Sequence, residues 1–177
     1  VLCSTPLYST LPNWQLVVLD VRDESAAARV ERVPLAQAAD GWFDEDGTLY
    51  FTRQRFQGSH TKRYKGGTAQ NIWKFADPDD EAIALTADYP GTSKRPMVWH
   101  GRVYFVSDRD GTLNLYSFDA ASGQVDQHTR SDTWDVRWPS SDNRSRIVYE
   151  LNGELHVYDV DSGRDRKISI TVPDDGL

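Results

Sequence analysis

The sequence predicts an all-β fold built from repeated sheets of four short strands. Residues 96–129 read as four strands separated by turn residues, and residues 136–170 repeat the pattern. Residues 102–105 correspond to 146–149 in the two copies. A period of about 40 to 45 residues with four strands in each copy is typical of β-propeller blades. We therefore expect a partial β-propeller with about three four-stranded blades and the outer strands of another.

The first 35 residues predict an incomplete blade. Residues 15–21 and 30–35 read as its outer two strands. Residues 4–12 contain two prolines, which lack the backbone N–H that a sheet uses, so we expect a loop or a poorly paired strand there. The inner strands of this blade are expected to precede or overlap Val1.

The next predicted blade covers residues 38–86. Asp46-Gly47 lies between apolar stretches and indicates a hairpin, and residues 71–75 resume the blade. The polar segment 54–70 separates them. Insertions of this length in a compact domain are usually functional or mobile.

Two further blades are predicted at residues 94–129 and 134–170. Their turns are marked by His100-Gly101 in the first and by Asn152-Gly153 in the second. No segment shows convincing helical periodicity. The prediction is therefore a single all-β unit over residues 1–177.

Composition limits the function classes. The net charge of −7 argues against a nucleic-acid binder, because phosphate neutralisation needs clustered Lys and Arg. Cys3 is the single cysteine, so neither a disulfide framework nor a thiolate metal site is expected. No apolar run approaches the ~20 residues that span a bilayer. We expect no cofactor, no metal, no nucleic acid and no membrane partner.

The chain begins at Val1, and a closed ring of six or seven blades needs roughly 250 to 300 residues. We therefore expect a piece of a longer polypeptide. No signal peptide is visible. The expected location is cytoplasmic, or periplasmic if a segment before Val1 carries a signal.

The four histidines, His60, His100, His128 and His156, do not form a recognisable catalytic motif. There is no G-x-S-x-G elbow and no H-E-x-x-H metal motif. The acidic run at residues 108–114 lacks the glutamate that closes an EF-hand, so it reads as a hairpin turn. We predict no catalytic residue and no metal ligand.

Cationic side chains in and beside the insertion are the candidate binding residues: Arg53, Arg55, Lys62, Arg63 and Lys65. Cations on a loop in an acidic chain attract carboxylate groups, so they could guide the carboxylate end of a peptide. The alternative is a solvated loop or a contact between subunits.

Four tryptophans, Trp73, Trp99, Trp134 and Trp138, are read as occupying comparable places in the blades. Aromatic rings between stacked sheets usually belong to the core. The alternative is that a few line a channel mouth and hold peptide side chains.

Several segments resemble a known family. RYKGGTAQNIWKF from Arg63 and PMVWHGRVYFVSDRDGTLNLYSFD from Pro96 are similar to the N-terminal six-bladed propeller of the tricorn protease family. Related repeats occur in TolB-like and prolyl-oligopeptidase-type propellers. The RYKGGT insertion, in register with the flanking blades, favours the tricorn family.

This resemblance implies a part in a large, oligomeric serine peptidase that trims oligopeptides. The family's catalytic residues lie in C-terminal domains, and its propellers form channels for peptides and products. We therefore expect an inactive segment that forms a gating wall and subunit contacts. Its expected partners are the remaining domains of the parent peptidase, oligopeptides in transit and further copies of the protein. The alternatives are a TolB-like interaction propeller and a propeller cap of a prolyl-oligopeptidase-type peptidase.

Overall fold

The computed structural model describes residues 1–11, 13–22, 29–54, 63–171 and 173, and their strands form four antiparallel sheets. The first sheet contains β1 (Leu2–Thr5), β2 (Gln15–Asp20) and β3 (Arg29–Arg32). The second contains β4 (Ala39–Phe43), β5 (Leu49–Thr52), β6 (Ile72–Phe75) and β7 (Ile83–Ala84). The third contains β8 (Ser93–Trp99), β9 (Arg102–Ser107), β10 (Asn114–Asp119) and β11 (Val125–Gln127). The fourth contains β12 (Arg137–Ser141), β13 (Arg146–Leu151), β14 (Glu154–Asp159) and β15 (Arg164–Lys167).

Strand order in every sheet follows the chain, as in propeller blades. The described residues contain no helix. The predicted all-β fold with three four-stranded blades is therefore confirmed. The exact blade limits within residues 1–177 stay a prediction.

The first sheet has one strand more than the sequence indicated. Residues 2–5 form a fully paired strand, although Pro6 follows directly. β1 and β2 pack against β4 in the way that β5 and β6 pack against β8. The first sheet therefore supplies the second, third and fourth strands of a blade, which confirms the expected outer strands.

Two hairpins have the turn chemistry that the sequence indicated. His100 and Gly101 have positive φ angles of 53° and 72°, and Asn152 and Gly153 have 54° and 77°. Positive φ at both central residues defines the tight hairpin turn that matches the twist of the flanking strands. These turns fix the register of β8 on β9 and of β13 on β14.

One backbone hydrogen bond links each sheet to the next, and it occurs three times. The donor is a buried residue at or directly before the first strand of a sheet, and the acceptor is a carbonyl one or two residues before the third strand of the preceding blade. The pairs are Ala38 N to Trp14 O at 2.8 Å, Ser93 N to Gln70 O at 2.7 Å, and Val136 N to Leu113 O at 2.7 Å. The three donors are at most 1% exposed, so these bonds are shielded from water. We call this contact the sheet-to-sheet bond.

Apolar side chains fill the space between successive sheets. The cluster between the third and fourth sheets contains Met97, Trp99, Tyr104, Val106, Leu115, Val136, Ile147, Tyr149 and Tyr158. Each fully buried side chain of this size contributes about 1.5–3 kcal/mol relative to exposure. A sheet therefore needs a neighbour on each face to bury its apolar residues.

A buried threonine fastens the fourth strand of the third sheet to its third strand. Thr129 Oγ1 accepts a hydrogen bond from Leu115 N at 2.8 Å and donates one to Asn114 Oδ1 at 2.9 Å. Thr86 makes the same two contacts in the second sheet. In both sheets, a threonine just after the fourth strand accepts a hydrogen bond from a buried backbone N–H of the third strand.

His128 connects the third sheet to the fourth. Its Nδ1 lies 2.9 Å from the Tyr158 hydroxyl and its Nε2 lies 2.8 Å from Ser117 Oγ. Ser117 Oγ also accepts from the Arg102 guanidinium at 3.0 Å. One arrangement that satisfies these contacts has the Ser117 hydroxyl donating to Nε2 and the imidazole proton on Nδ1, facing the Tyr158 oxygen. Burial lowers the pKa of His128, and the cations Arg102 and Arg130 lower it further against the opposing effect of Asp126.

Substitution of Thr129 by Val is expected to lower the free energy of unfolding by about 1–3 kcal/mol, because Leu115 N and Asn114 lose a buried partner. Urea unfolding of the chain, followed by circular dichroism, measures the change. Thr133→Val is the control, because Thr133 is exposed and its hydroxyl contacts only Asp132. Equal losses in the two variants would contradict the role of Thr129.

Stability is expected to fall as the pH drops from about 7.5 to 5.5. The pKa of His128 lies below its ordinary value of 6.5 in the folded chain, so the unfolded chain binds the proton first. The contribution is fully present above pH 6.5 and is lost as the pH falls toward the lowered pKa. Asp126 also has a lowered pKa, so it stays ionised across this range.

The measurement is the thermal midpoint of wild type and His128→Leu at several pH values. Leucine is the matched replacement, because Leu85 and Ile168 make the equivalent backbone hydrogen bond in the second and fourth sheets. The variant should lose the fall between pH 7.5 and 5.5. The same pH dependence in both proteins would count against His128 as its source.

Candidate functional site

The first strands of three successive sheets, β4, β8 and β12, lie side by side. Each pairs with its own sheet along one edge only. The other edge of each strand therefore faces the space that the sheets share. We call β4, β8 and β12 the inner strands.

Each inner strand contains one extra residue at the same place. The register against the second strand shifts between Ala39 and Trp42, between Lys94 and Met97, and between Arg137 and Ser140. Inside these intervals, Asp40, Arg95 and Trp138 have positive φ angles of 45°, 61° and 50°. A bulge re-aims a side chain relative to the regular strand, and a positive φ is uncommon for residues as bulky as Arg and Trp.

The three bulge residues contact one another in sequence. Arg95 Nη1 lies 3.5 Å from Asp40 Oδ1, and the Arg95 guanidinium carbon lies 4.9 Å from the centroid of the Trp138 ring. The Asp40 and Arg95 side chains are 10% and 33% exposed, and Trp138 is 67% exposed. We call Asp40, Arg95 and Trp138 the bulge ladder. It joins the second, third and fourth sheets along their inner edges.

The backbone of the bulge ladder is strained at all three residues. A non-glycine residue in the left-handed region costs on the order of 1–3 kcal/mol. An exposed cation–π contact such as that of Arg95 with Trp138 stabilises the fold by about 0.5–1 kcal/mol. A partly exposed ion pair such as that of Arg95 with Asp40 contributes a similar amount. The strain recurs in three sheets with three different side chains, so it belongs to the geometry of the inner strand rather than to one residue type.

Further charge lies beside the ladder. Lys94 and Arg137 precede Arg95 and Trp138 on their strands. Burial lowers the pKa of Lys94, and the neighbouring Arg95 lowers it further, whereas Asp135 and Asp40 act in the opposite direction. Cations therefore predominate on this part of the inner strands.

The structure gives the predicted loop cations separate surroundings. The Arg53 guanidinium lies over the Trp73 ring, 5.1 Å from its centroid. Arg63 Nε donates to Gly111 O at 3.0 Å, on the turn between β9 and β10 of the next sheet. Lys65 is exposed. Arg53 and Arg63 therefore contact different sheets rather than a common point.

Two of the predicted cations, Arg55 and Lys62, lie outside the described residues, as does His60. Among the other histidines, His100 is exposed in a turn, and His156 Nδ1 lies 3.3 Å from Asp165 Oδ2. His128 contacts the hydroxyl of Ser117, which is completely buried, so this pair has no access to a substrate.

The tryptophans occupy different places, so the prediction of comparable positions is wrong. Trp99 is buried at the end of β8 and stacks on Tyr104 with ring centroids 4.2 Å apart. Trp73 is half-buried on β6, and Trp134 is 52% exposed before β12. Trp138 belongs to the bulge ladder. Trp73 lies on the third strand of its sheet, whereas Trp99 and Trp138 lie at different points of first strands, so the four residues share no position in the repeat.

Sequence reasoning missed the bulge ladder. Its members are an acid, a cation and an aromatic residue, so no shared residue type marks the position. An alignment of the repeats on the bulge itself would have placed them together. In the described part of the chain, no group of three or more His, Cys, Asp or Glu residues is arranged to hold a metal ion. Nor is any helix there long and apolar enough to span a bilayer.

Comparison with known proteins agrees with this architecture. The profile of the family described as "Tricorn protease N-terminal beta propeller domain" matches residues 7–164. A tricorn protease homologue of Saccharolobus solfataricus is 34% identical over 114 residues, which cover 64% of this chain and 10% of the homologue. The chain thus spans about a tenth of the length of that relative.

Solved structures show the same fold. The crystal structure of the tricorn protease superposes with a TM-score of 0.69 at 24% identity, covering 91% of this chain and 17% of the protease. A TolB protein from Agrobacterium tumefaciens gives a TM-score of 0.59 at 14% identity, covering 86% of this chain and 60% of TolB. The similarity to TolB shows a shared propeller architecture, whereas the family profile distinguishes the two. The chain belongs to the family of tricorn protease N-terminal β-propeller domains.

Proposed function

We propose that this segment forms part of the wall of a peptide channel in a larger tricorn-like serine peptidase, whose catalytic residues lie elsewhere in the polypeptide. The observation that carries the proposal is the family match over residues 7–164. The buried position of Ser117 beside His128 supports it, because this Ser–His contact cannot reach a peptide.

The first strands of propeller blades surround the central channel. In this proposal, β4, β8 and β12 line that channel, and the bulge ladder faces the passing chain. A channel of this kind admits an unfolded peptide and excludes a folded protein. Selectivity then arises from channel width and from the charges and rings on the inner strands.

The insertion contributes electrostatic guidance in this proposal. Lys65 is exposed, and Arg53 and Arg63 are exposed although each contacts one neighbour. Together with Arg55 and Lys62, they give a cationic segment on a chain of net charge −7. Such a segment attracts the carboxylates of oligopeptides at low ionic strength.

Further blades and further subunits are the proposed partners. Leu155 is 39% exposed, whereas Ile72 and Leu115, which accept the equivalent backbone hydrogen bond in the second and third sheets, are fully buried. The outward face of the fourth sheet is therefore suited to packing against another blade of the parent protein. In its absence, we expect residues 1–177 to self-associate through such faces.

Peptidase activity is expected in the full-length gene product and not in residues 1–177 alone. The assay compares the two proteins on fluorogenic oligopeptides of different lengths. Activity of the isolated segment would contradict the proposal, because its residues would then include the catalytic centre. Inactivity of both proteins would favour a TolB-like binding role.

Substitution of Leu155 by Asp is expected to reduce self-association of residues 1–177, because a charge on this face opposes packing against a second copy. Light scattering over a range of concentrations gives the mass. Thr10→Asp, at an exposed position between β1 and β2, is the control for the added charge. A wild-type segment that stays monomeric at all concentrations would contradict the expected association.

A further inference from the structure

We propose that Trp138 is a peptide-contacting residue and that the bulge ladder presents its indole as a docking surface for aromatic side chains of a peptide in transit. This inference rests on the proposed function, because it places Trp138 on the wall of a peptide channel. Trp138 is 67% exposed, although large aromatic side chains are usually buried for the most part. Trp138 lies within the bulge of β12, and in this proposal its indole faces the space that the inner strands share.

The indole is held in place before a peptide arrives. The bulge fixes the backbone of Trp138 at a φ of 50°, and the Arg95 guanidinium covers the ring at 4.9 Å. Arg95 is in turn paired with Asp40 at 3.5 Å. A ring that is already oriented loses little conformational entropy on binding, so more of the contact energy is available for affinity.

The charges around the ring favour an uncharged, flat ligand. Asp40 is paired with Arg95, so its carboxylate is not available to balance an incoming cation. Lys94 and Arg137 precede Arg95 and Trp138, but Glu150 is paired opposite Arg137, and Asp135 and Asp40 oppose the charge of Lys94. The surroundings therefore favour neither a cationic nor an anionic side chain. Arg95 is likewise neutralised by Asp40, so a carboxylate gains little from it. Phenylalanine, tyrosine and tryptophan side chains remain as the groups that stack best on the free surface of the indole.

A purely structural role for Trp138 makes a different prediction. Asp40 and Arg95 each contact the bulge residue of the following sheet, so Trp138 would contact the corresponding residue of a fifth blade. Removal of the indole would then lower stability, and it would affect all peptides alike. A docking role instead changes the discrimination between aromatic and non-aromatic peptides.

The test uses the full-length gene product and pairs of fluorogenic peptides that are identical except for Phe or Ala at one position away from the cleaved bond. The measured quantity is the ratio of kcat/KM for the Phe peptide to that for the Ala peptide. Trp138→Leu keeps apolar volume and removes the aromatic face, and it should lower this ratio at least about threefold. Trp138→Phe should restore most of the preference. Trp134→Leu is the control for an exposed tryptophan outside the inner strands, and it should leave the ratio unchanged.

Equilibrium binding of the same peptides to the full-length protein, measured by fluorescence anisotropy, gives a second readout that needs no turnover. Trp138→Leu should weaken binding of the Phe peptide and leave the Ala peptide unaffected. Peptide binding that depends on Trp138 in a protein without peptidase activity would support this inference while contradicting the proposed function. A wild-type ratio and wild-type binding in Trp138→Leu, or equal losses for both peptides, would overturn the inference.

Discussion

The architecture depends on the sheet-to-sheet bond, a backbone contact that recurs at Ala38, Ser93 and Val136. Because it joins main-chain atoms, it tolerates three different side chains at the donor. Each donor N–H is buried, and a buried N–H without a partner costs about as much as a lost hydrogen bond. The contact sets the start of each inner strand relative to the preceding sheet. In each of the three sheets the bulge residue comes two positions after the donor of this bond.

Much of the fold was readable from the sequence, because the responsible signals are local. His100-Gly101 and Asn152-Gly153 required positive φ angles, and the repeat spacing required four strands in each copy. β1 was missed because the two prolines, Pro6 and Pro12, argue against a strand in this region, although the strand ends at Thr5. Its pairing with β2 is a tertiary fact, and four residues carry too little periodicity to indicate it.

The candidate site was much less accessible. Loop cations attract attention in a sequence because charge is visible in the residue type, yet Arg53 and Arg63 are engaged by Trp73 and Gly111. The bulge ladder is defined by one extra residue in each inner strand, which changes neither composition nor apparent periodicity. Asp40, Arg95 and Trp138 share a backbone geometry rather than a chemistry. Only the register of the strands brings them together.

The repeated bulge frees one residue of each inner strand from the packing constraints that act on the other residues. At most positions, a side chain must fit the core or the sheet, so its identity is constrained by packing. The extra residue interrupts the pairing register and lies outside the three apolar clusters. An acid, a cation and an indole all occupy it without altering the blades around them. Each of the three described inner strands therefore offers one position at which the chemistry of the inner surface can change, by evolution or by engineering, while the fold is left intact.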